Sequence, residues 1–157
     1  MPLLLYRVDD RLIHGQVVVG WGRPLGVQFI VLVDDSVRAS DWEQDLYRMG
    51  VPSSVEVVFA SLAEGVRDLA QWQADPRAGL LLTVDIATMA GLRRANTRLE
   101  RINLGGIHHR PGRTERLPYL YLTDEELALA RSLAEGGAIV EAQDVPTAAA
   151  VAIGSIK

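Results

Sequence analysis

The chain reads as an α/β domain with a mostly parallel central sheet and helices on both faces. Three observations predict it. Short runs of apolar, often branched residues recur along the chain. Helical patterns separate them. The runs are nearly continuous hydrophobics rather than alternating ones. Continuous runs suit strands covered on both faces, and strand–helix alternation implies parallel crossovers. A chain of 157 residues is about one domain's worth, and it can bury ~70% of its unfolded surface without a staple. With no internal repeat, low-complexity tract or linker, residues 1–157 are read as a single domain.

Leu3–Val8 is the first strand. Val27–Val33 is the second and ends at Asp34-Asp35. Val55–Phe59, Leu80–Val84 and Arg101–Leu104 follow, and Tyr119–Leu122 and Ala138–Ala142 complete the set. Ser61-Leu-Ala-Glu64 and Thr123-Asp-Glu-Glu126 are capping boxes: a hydroxyl accepts a backbone N–H and a glutamate reaches back. The first opens a helix predicted to run to Gln73. The second opens a helix that stops at Gly136-Gly137, a natural left-handed end. Further helices are predicted at His14–Gly22, Ser40–Met49 and Ile86–Ala95. Trp21, Trp42 and Trp72 fall on three different helices and are read as packing residues rather than a stacking platform.

Composition removes several chemistries. With no cysteine, disulfides, thiolate metal sites and cysteine nucleophiles are excluded. A net charge of −4 excludes nucleic-acid binding driven by bulk charge. The longest apolar runs, such as Gly79–Val84, are far too short to cross a bilayer, and no leader-like pattern opens the sequence. Gly20-Trp-Gly22 lacks dinucleotide-fingerprint spacing, and there is no phosphate-binding loop or nucleophile elbow.

Ligands of open α/β sheets gather at the carboxyl ends of strands. The first such end is Arg7-Val-Asp-Asp-Arg-Leu-Ile-His14-Gly-Gln16. Leu12 and Ile13 interrupt the charges and should anchor the loop. Neutral histidine is a nucleophile at cellular pH. A nearby carboxylate could hold one ring nitrogen and leave the other to attack. An arginine could bind phosphoryl oxygens, and the N–H groups opening the next helix could add to that anion site. The set suits phosphoryl transfer through a phosphohistidine; a capped, solvated turn with a structural histidine is the competing reading.

The second loop is Asn103-Leu-Gly-Gly-Ile-His-His-Arg-Pro-Gly112. Gly105-Gly106 allows close approach of backbone to a ligand or a neighbouring loop; a plain tight turn is the alternative. His108 and His109 should point to opposite sides, and no zinc-ligand spacing accompanies them, so no metal site is expected. The seven arginines between Arg93 and Arg116 could dock an acidic partner or form a solvated face. Asp34, Asp35, Asp41, Glu43 and Asp45 read as a strand-end turn and a helix start; a divalent metal at Asp34-Asp35 is the alternative, with no third ligand identifiable.

Arg7–Val17 (RVDDRLIHGQV), followed by Trp21, closely resembles the N-terminal signature of the enzyme IIB component of the bacterial phosphoenolpyruvate-dependent sugar phosphotransferase system, in its mannose/fructose/sorbose branch. The second loop resembles that family's Asn-x-Gly-Gly-x-His segment, and Val140–Pro146 its ending. The resemblance covers nearly the whole chain. It implies that His14 is phosphorylated on Nδ1 by a phosphohistidine of enzyme IIA, and that the group then passes to a sugar carried by the membrane components IIC and IID. It implies that Arg11 stabilises the transferring group and that Asp9 orients His14 or keeps it basic. Arg7, Asp10, Gly15, Gln16, Gly105, Gly106 and His108 are the further phosphate- or partner-binding candidates, with Asp10 the more structural of them. It also implies an antiparallel edge strand. A cytoplasmic carrier with no cofactor and no nucleic-acid partner is expected, and a homodimer is a hypothesis. A carrier must meet two partners in turn, so His14 should not lie in a deep pocket. His109 and Pro111 depart from the family pattern and bear on the second loop's shape. A regulatory module switched by His14 phosphorylation is the alternative function. A small-molecule phosphatase or nucleotide-binding protein ranks third, because no motif supports it.

Overall fold

Among the described residues, seven strands pair side by side in the order Glu56–Ala60, Phe29–Val33, Gly79–Thr83, Leu3–Val8, Arg101–Leu104, Ile139–Ala142 and Val151–Ala152. The computed structural model describes residues 3–157, apart from the side chains of Leu4 and Gln16. The parallel strands are β1 (Leu3–Val8), β2 (Phe29–Val33), β3 (Glu56–Ala60), β4 (Gly79–Thr83), β5 (Arg101–Leu104) and β8 (Ile139–Ala142). The short β9 (Val151–Ala152) runs antiparallel to β8 at one edge. The parallel sheet is as expected from the sequence pattern, and the antiparallel edge strand as the resemblance implied.

Continuous apolar runs arise because each strand feeds two cores. In β2, Phe29, Val31 and Val33 face one cluster, while Ile30 and Leu32 face the other. In β4, Leu81 faces the first, and Leu80 and Leu82 the second. The first core lies under α4 (Leu62–Ala74), α5 (Ile86–Ala95) and α6 (Asp124–Glu135). The second lies under the segment Gln16–Gly22, which is wound as a π-helix and runs into the single turn α1 (Arg23–Leu25). It also receives Val37 of α2 (Asp35–Arg38) and Tyr47 of α3 (Asp41–Met49).

Both capping boxes form. The Ser61 and Thr123 hydroxyls accept from Glu64 and Glu126 N–H at 3.1 and 3.0 Å, and each glutamate accepts the cap residue's own N–H at 2.9 Å. Helix α6 ends with Gly137 at φ 104°, where Gly137 and Ala138 N–H donate to the Ala134 and Leu133 carbonyls. That is the left-handed stop read from the two glycines.

Four readings need correction. Tyr119–Leu122 does not join the main sheet: Leu120–Leu122 is β7, paired antiparallel with the unforeseen β6 (Thr114–Leu117) in a separate hairpin. An isolated bridge from Ile107 to Leu120 attaches that hairpin to the second loop. The helix expected from His14 begins at Gln16, because the residues before it form a folded loop. The four-residue α2 was not foreseen; Asp34 caps it by accepting from Val37 N–H at 3.0 Å. Trp21 is buried and Trp72 packs on the first core, but Trp42 is 69% exposed, so it is not a packing residue.

Candidate active site

The loop after β1 is laced to both neighbouring strand ends. Asp9 N–H donates to the Thr83 carbonyl at the end of β4 (3.0 Å), and Asp10 N–H donates to the Gly106 carbonyl after β5 (2.9 Å). Leu12 N–H closes a tight turn onto the Asp9 carbonyl at 2.9 Å. That turn puts Leu12 at φ 57°, a left-handed conformation costing a branched residue about 1–2 kcal/mol. Burial of Leu12 and Ile13 in the second core returns ~1.5–3 kcal/mol each, which outweighs the strain. The apolar pair therefore anchors the loop, as its interruption of the charges suggested.

Asp9 is fully buried and organises the site. Its Oδ2 lies 3.0 Å from His14 Nε2, and its Oδ1 accepts from Arg11 N–H at 3.1 Å. Burial alone would raise this carboxyl. The His14 hydrogen bond and charge, then Arg7 and the Arg11 N–H, outweigh it and hold Asp9 below its ordinary value. An ionised Asp9 accepts a hydrogen bond from Nε2–H, so the neutral ring carries its lone pair on Nδ1. No described residue hydrogen-bonds Nδ1. The His14 side chain is partly exposed, at 15%, and not sealed in the interior. Arg11 reaches across the carboxylate from the solvent side: its side chain is 44% exposed, with Nε 4.0 Å from Asp9 Oδ1.

Arg7 departs from its expected place among phosphate or partner contacts. It is fully buried and points away from any surface a partner could reach. Its Nη1 bonds Asn103 Oδ1 and donates to the Gln143 carbonyl (2.8 Å), and Nη2 donates to the Asp144 carbonyl (2.9 Å). The guanidinium lies 4.9 Å from the centre of the Trp21 ring, and Nε faces Asp9 Oδ2 at 3.4 Å without hydrogen-bond geometry. Burial pulls its pKa down, against the attraction of Asp9. Arg7 is thus a strut that ties the ends of β1, β5 and β8 beneath Asp9.

The second loop closes over this strut. A methyl group at Gly105 would lie 2.3 Å from Arg7 Cζ, so only glycine lets the backbone pass the pinned guanidinium. Gly105→Ala should therefore cost ~3 kcal/mol, read as a lower denaturant midpoint at unchanged slope; an unchanged midpoint would show that Arg7 is not held there. Gly106 is different. A methyl there would sit 3.6–3.7 Å from Arg11 Nη2, Asp9 Oδ1 and His108 Cε1, an ordinary contact in the middle of the site. At Gly15 a methyl would meet nothing within 4 Å. The side chain of Gln16 lies outside the described residues.

Asp10 staples the two loops together. Its Oδ2 accepts His108 N–H at 2.7 Å, and its Oδ1 meets His108 Nδ1 at 2.6 Å. Arg113 donates to the His108 carbonyl (3.0 Å) and forks onto Glu126, the capping-box glutamate of α6. His109 turns the other way, edge-on to Tyr121. The structure thus gathers Asp9, Arg11, His14, Asp10, Gly106 and His108 at one strand end.

Other charged stretches are structural. Arg93, Arg101, Arg113 and Arg116 are spent on carbonyls and carboxylates. Asp35 Oδ1 accepts Leu62 N–H at 2.8 Å. Among the described residues, no three His, Asp or Glu side chains are grouped to hold a metal ion. Sequence reasoning missed Asn103, Gln143 and Trp21 as supports of the site. The sequence-level signal for Asn103 is its place two residues before the glycine pair.

Residues 3–156 match the PTS system sorbose subfamily IIB component family. The chain belongs to that family. It is 30% identical over 148 residues to an N-acetylgalactosamine-specific phosphotransferase enzyme IIB component 1 of Escherichia coli, covering 92% of this chain and 91% of the relative. Its fold superposes on the IIBSor domain of the sorbose permease from Klebsiella pneumoniae with a TM-score of 0.88, at 26% identity, covering 98% of this chain and 94% of that one. A mannose-specific EIIAB component of Escherichia coli is 26% identical over 147 residues, and this chain spans 94% of itself but 46% of that relative. The chain is thus a IIB component of a sugar phosphotransferase system. Among the described residues, no helix is long and apolar enough to cross a membrane.

Proposed function

We propose that this IIB protein carries a phosphoryl group on His14 Nδ1, taken from a phosphohistidine of a IIA donor in the cytoplasm and passed to a sugar held by membrane IIC and IID components. One observation carries the reading: Asp9 engages Nε2 of His14, which leaves Nδ1 as the nucleophilic atom. As Nδ1 forms its bond to phosphorus, the donor's N–P bond breaks, and the donor ring, protonated on its other nitrogen, leaves as neutral imidazole. The His14 ring keeps its Nε2 proton and gains positive charge, which the Asp9 carboxylate neutralises. Phosphoryl transfer is mostly alignment and charge stabilisation, and these residues supply both. Arg7 fixes Asp9 from below, Asp10 and His108 hold the second loop, and Arg11 faces the incoming oxygens.

The test is reconstituted transfer from phosphoenolpyruvate through the general phosphotransferase proteins and a IIA protein, with the product mapped by mass spectrometry under conditions that spare phosphohistidine. Label on His14 is expected. A charged IIA beside an unlabelled, folded chain would reject carrier chemistry with that donor. In the same assay Arg11→Ala should slow transfer by about 10²–10³-fold at an unchanged melting temperature, because its side chain lies on the solvent side. Equal rates for variant and wild type would remove Arg11 from the mechanism.

A further inference from the structure

Helix α3 is built inside out. Its buried residue is Gln44, whose amide donates to the Val37 and Arg38 carbonyls at 3.1 and 2.9 Å. Tyr47 packs on the second core, and the Arg48 guanidinium lies 4.9 Å from the centre of the Phe59 ring. The large apolar side chains face outward instead: Trp42, Leu46 and Met49 are 69, 56 and 82% exposed. At 3.6 residues per turn, positions 42, 46 and 49 share one stripe about 60° wide, on the side opposite 44 and 47. Single exposed apolar residues need no explanation, but a contiguous stripe headed by tryptophan marks an interaction surface.

Two further features say what it meets. On the helical wheel Asp41 and Asp45 flank the stripe on one side and Glu43 on the other; Arg48, stacked on Phe59, also pairs with Asp45 at 3.4 Å. With three acids against one arginine, the rim is net acidic. The stripe also ends beside the active loop, since a methyl at Gly50 would lie 3.9 Å from Ile13 Cγ2, one residue from His14.

We propose that the Trp42–Leu46–Met49 stripe docks this IIB protein onto the basic cytoplasmic loops of its membrane-embedded sugar transporter, so that His14 is held against the acceptor side. The inference rests on the phosphocarrier reading. Polytopic membrane proteins concentrate Lys and Arg in their cytoplasmic loops, which complements an apolar stripe with an acidic rim. A second copy would bring six such acids into one interface against two arginines, each already paired with its own Asp45. A bare bilayer would set them against an anionic leaflet.

The experiment compares wild type with the double variant Trp42→Ser, Met49→Ser on inverted plasma-membrane vesicles of the source organism. The same vesicles shaved with trypsin, and protein-free liposomes of the same lipids, are the controls. Acceptance of phosphate from IIA is measured on both proteins. The expected result is salt-sensitive wild-type binding to intact vesicles, lost on shaving and weakened at least tenfold in the double variant, with His14 labelled at the wild-type rate in both. Undiminished binding by the double variant, binding that survives shaving, binding to liposomes, or no wild-type binding would each overturn the proposal. Slowed acceptance from IIA would assign the stripe to the donor instead, and concentration-dependent dimerisation abolished by the double variant would assign it to a second copy. Failure of the underlying carrier reading is separate, since it appears as absence of label on wild-type His14.

Discussion

His14→Ala is expected to accept no phosphoryl group from a charged IIA protein and to melt close to the wild type. The ring sits at the loop surface with one hydrogen bond, to Asp9, and the fold does not depend on its volume: neither hydrophobic core includes it. Its removal leaves Asp9 with Arg7 and the Arg11 N–H as partners. Acid-stable digestion controls and intact-mass measurement would read the result directly. Label retained at the wild-type level would move the acceptor to another side chain, and His108 would be the first to examine.

Asp9→Asn is expected to damage both stability and rate. The carboxylate is the anion in contact with the buried Arg7 guanidinium, with Asp144 acting on it more weakly. Removing one partner of a buried pair costs about 3–5 kcal/mol, and the carbonyls that also hold Arg7 place this case toward the lower end. The amide can still face Nε2 but cannot neutralise the charge growing on the ring, so transfer should fall by about 10²-fold or more. Acid provides an independent readout. Asp9 is held below its ordinary value, so its contribution to stability is present in full above the usual carboxylate range. It is lost as pH falls through the depressed value. The gap in stability between wild type and Asp9→Asn should therefore be constant near neutrality and narrow below about pH 4. A gap independent of pH would mean that Asp9 is not the ionised partner of Arg7 and His14.

What the sequence made legible was what is decided locally. Each capping box fixes a helix start within four residues, and Ile86–Ala95 and Arg101–Leu104 appear with the bounds read from the chain. Residues decided by distant neighbours were not legible. Thr-Glu-Arg-Leu at β6 has no strand-like pattern of its own and becomes a strand by pairing with β7. Tyr119–Leu122 is apolar enough for the sheet, yet Ile107 and the hairpin claim it. For the site, Asp9, Arg11 and His14 lie close in sequence, so their grouping could be read. The inward turn of Arg7 could not, because its acceptors lie about a hundred residues or more away. The pattern held one trace of it. Tyr6 and Val8 serve the first core, which sends Arg7 to the opposite face, beside Asn103. Trp42 defies the rule that an apolar residue on a helix marks the buried face, because α3 buries an amide instead.

The Arg7 strut also sets an order of events during synthesis. His14 is made early, but the carbonyls that seat its support belong to Gln143 and Asp144. A nascent chain that has emerged only as far as α6 holds His14, Asp9 and Arg11 but lacks two of the acceptors that fix the guanidinium under the carboxylate. On the proposed carrier chemistry, competence therefore arrives late in synthesis, when β8 slots in beside β5 and the carbonyls after it seat Arg7.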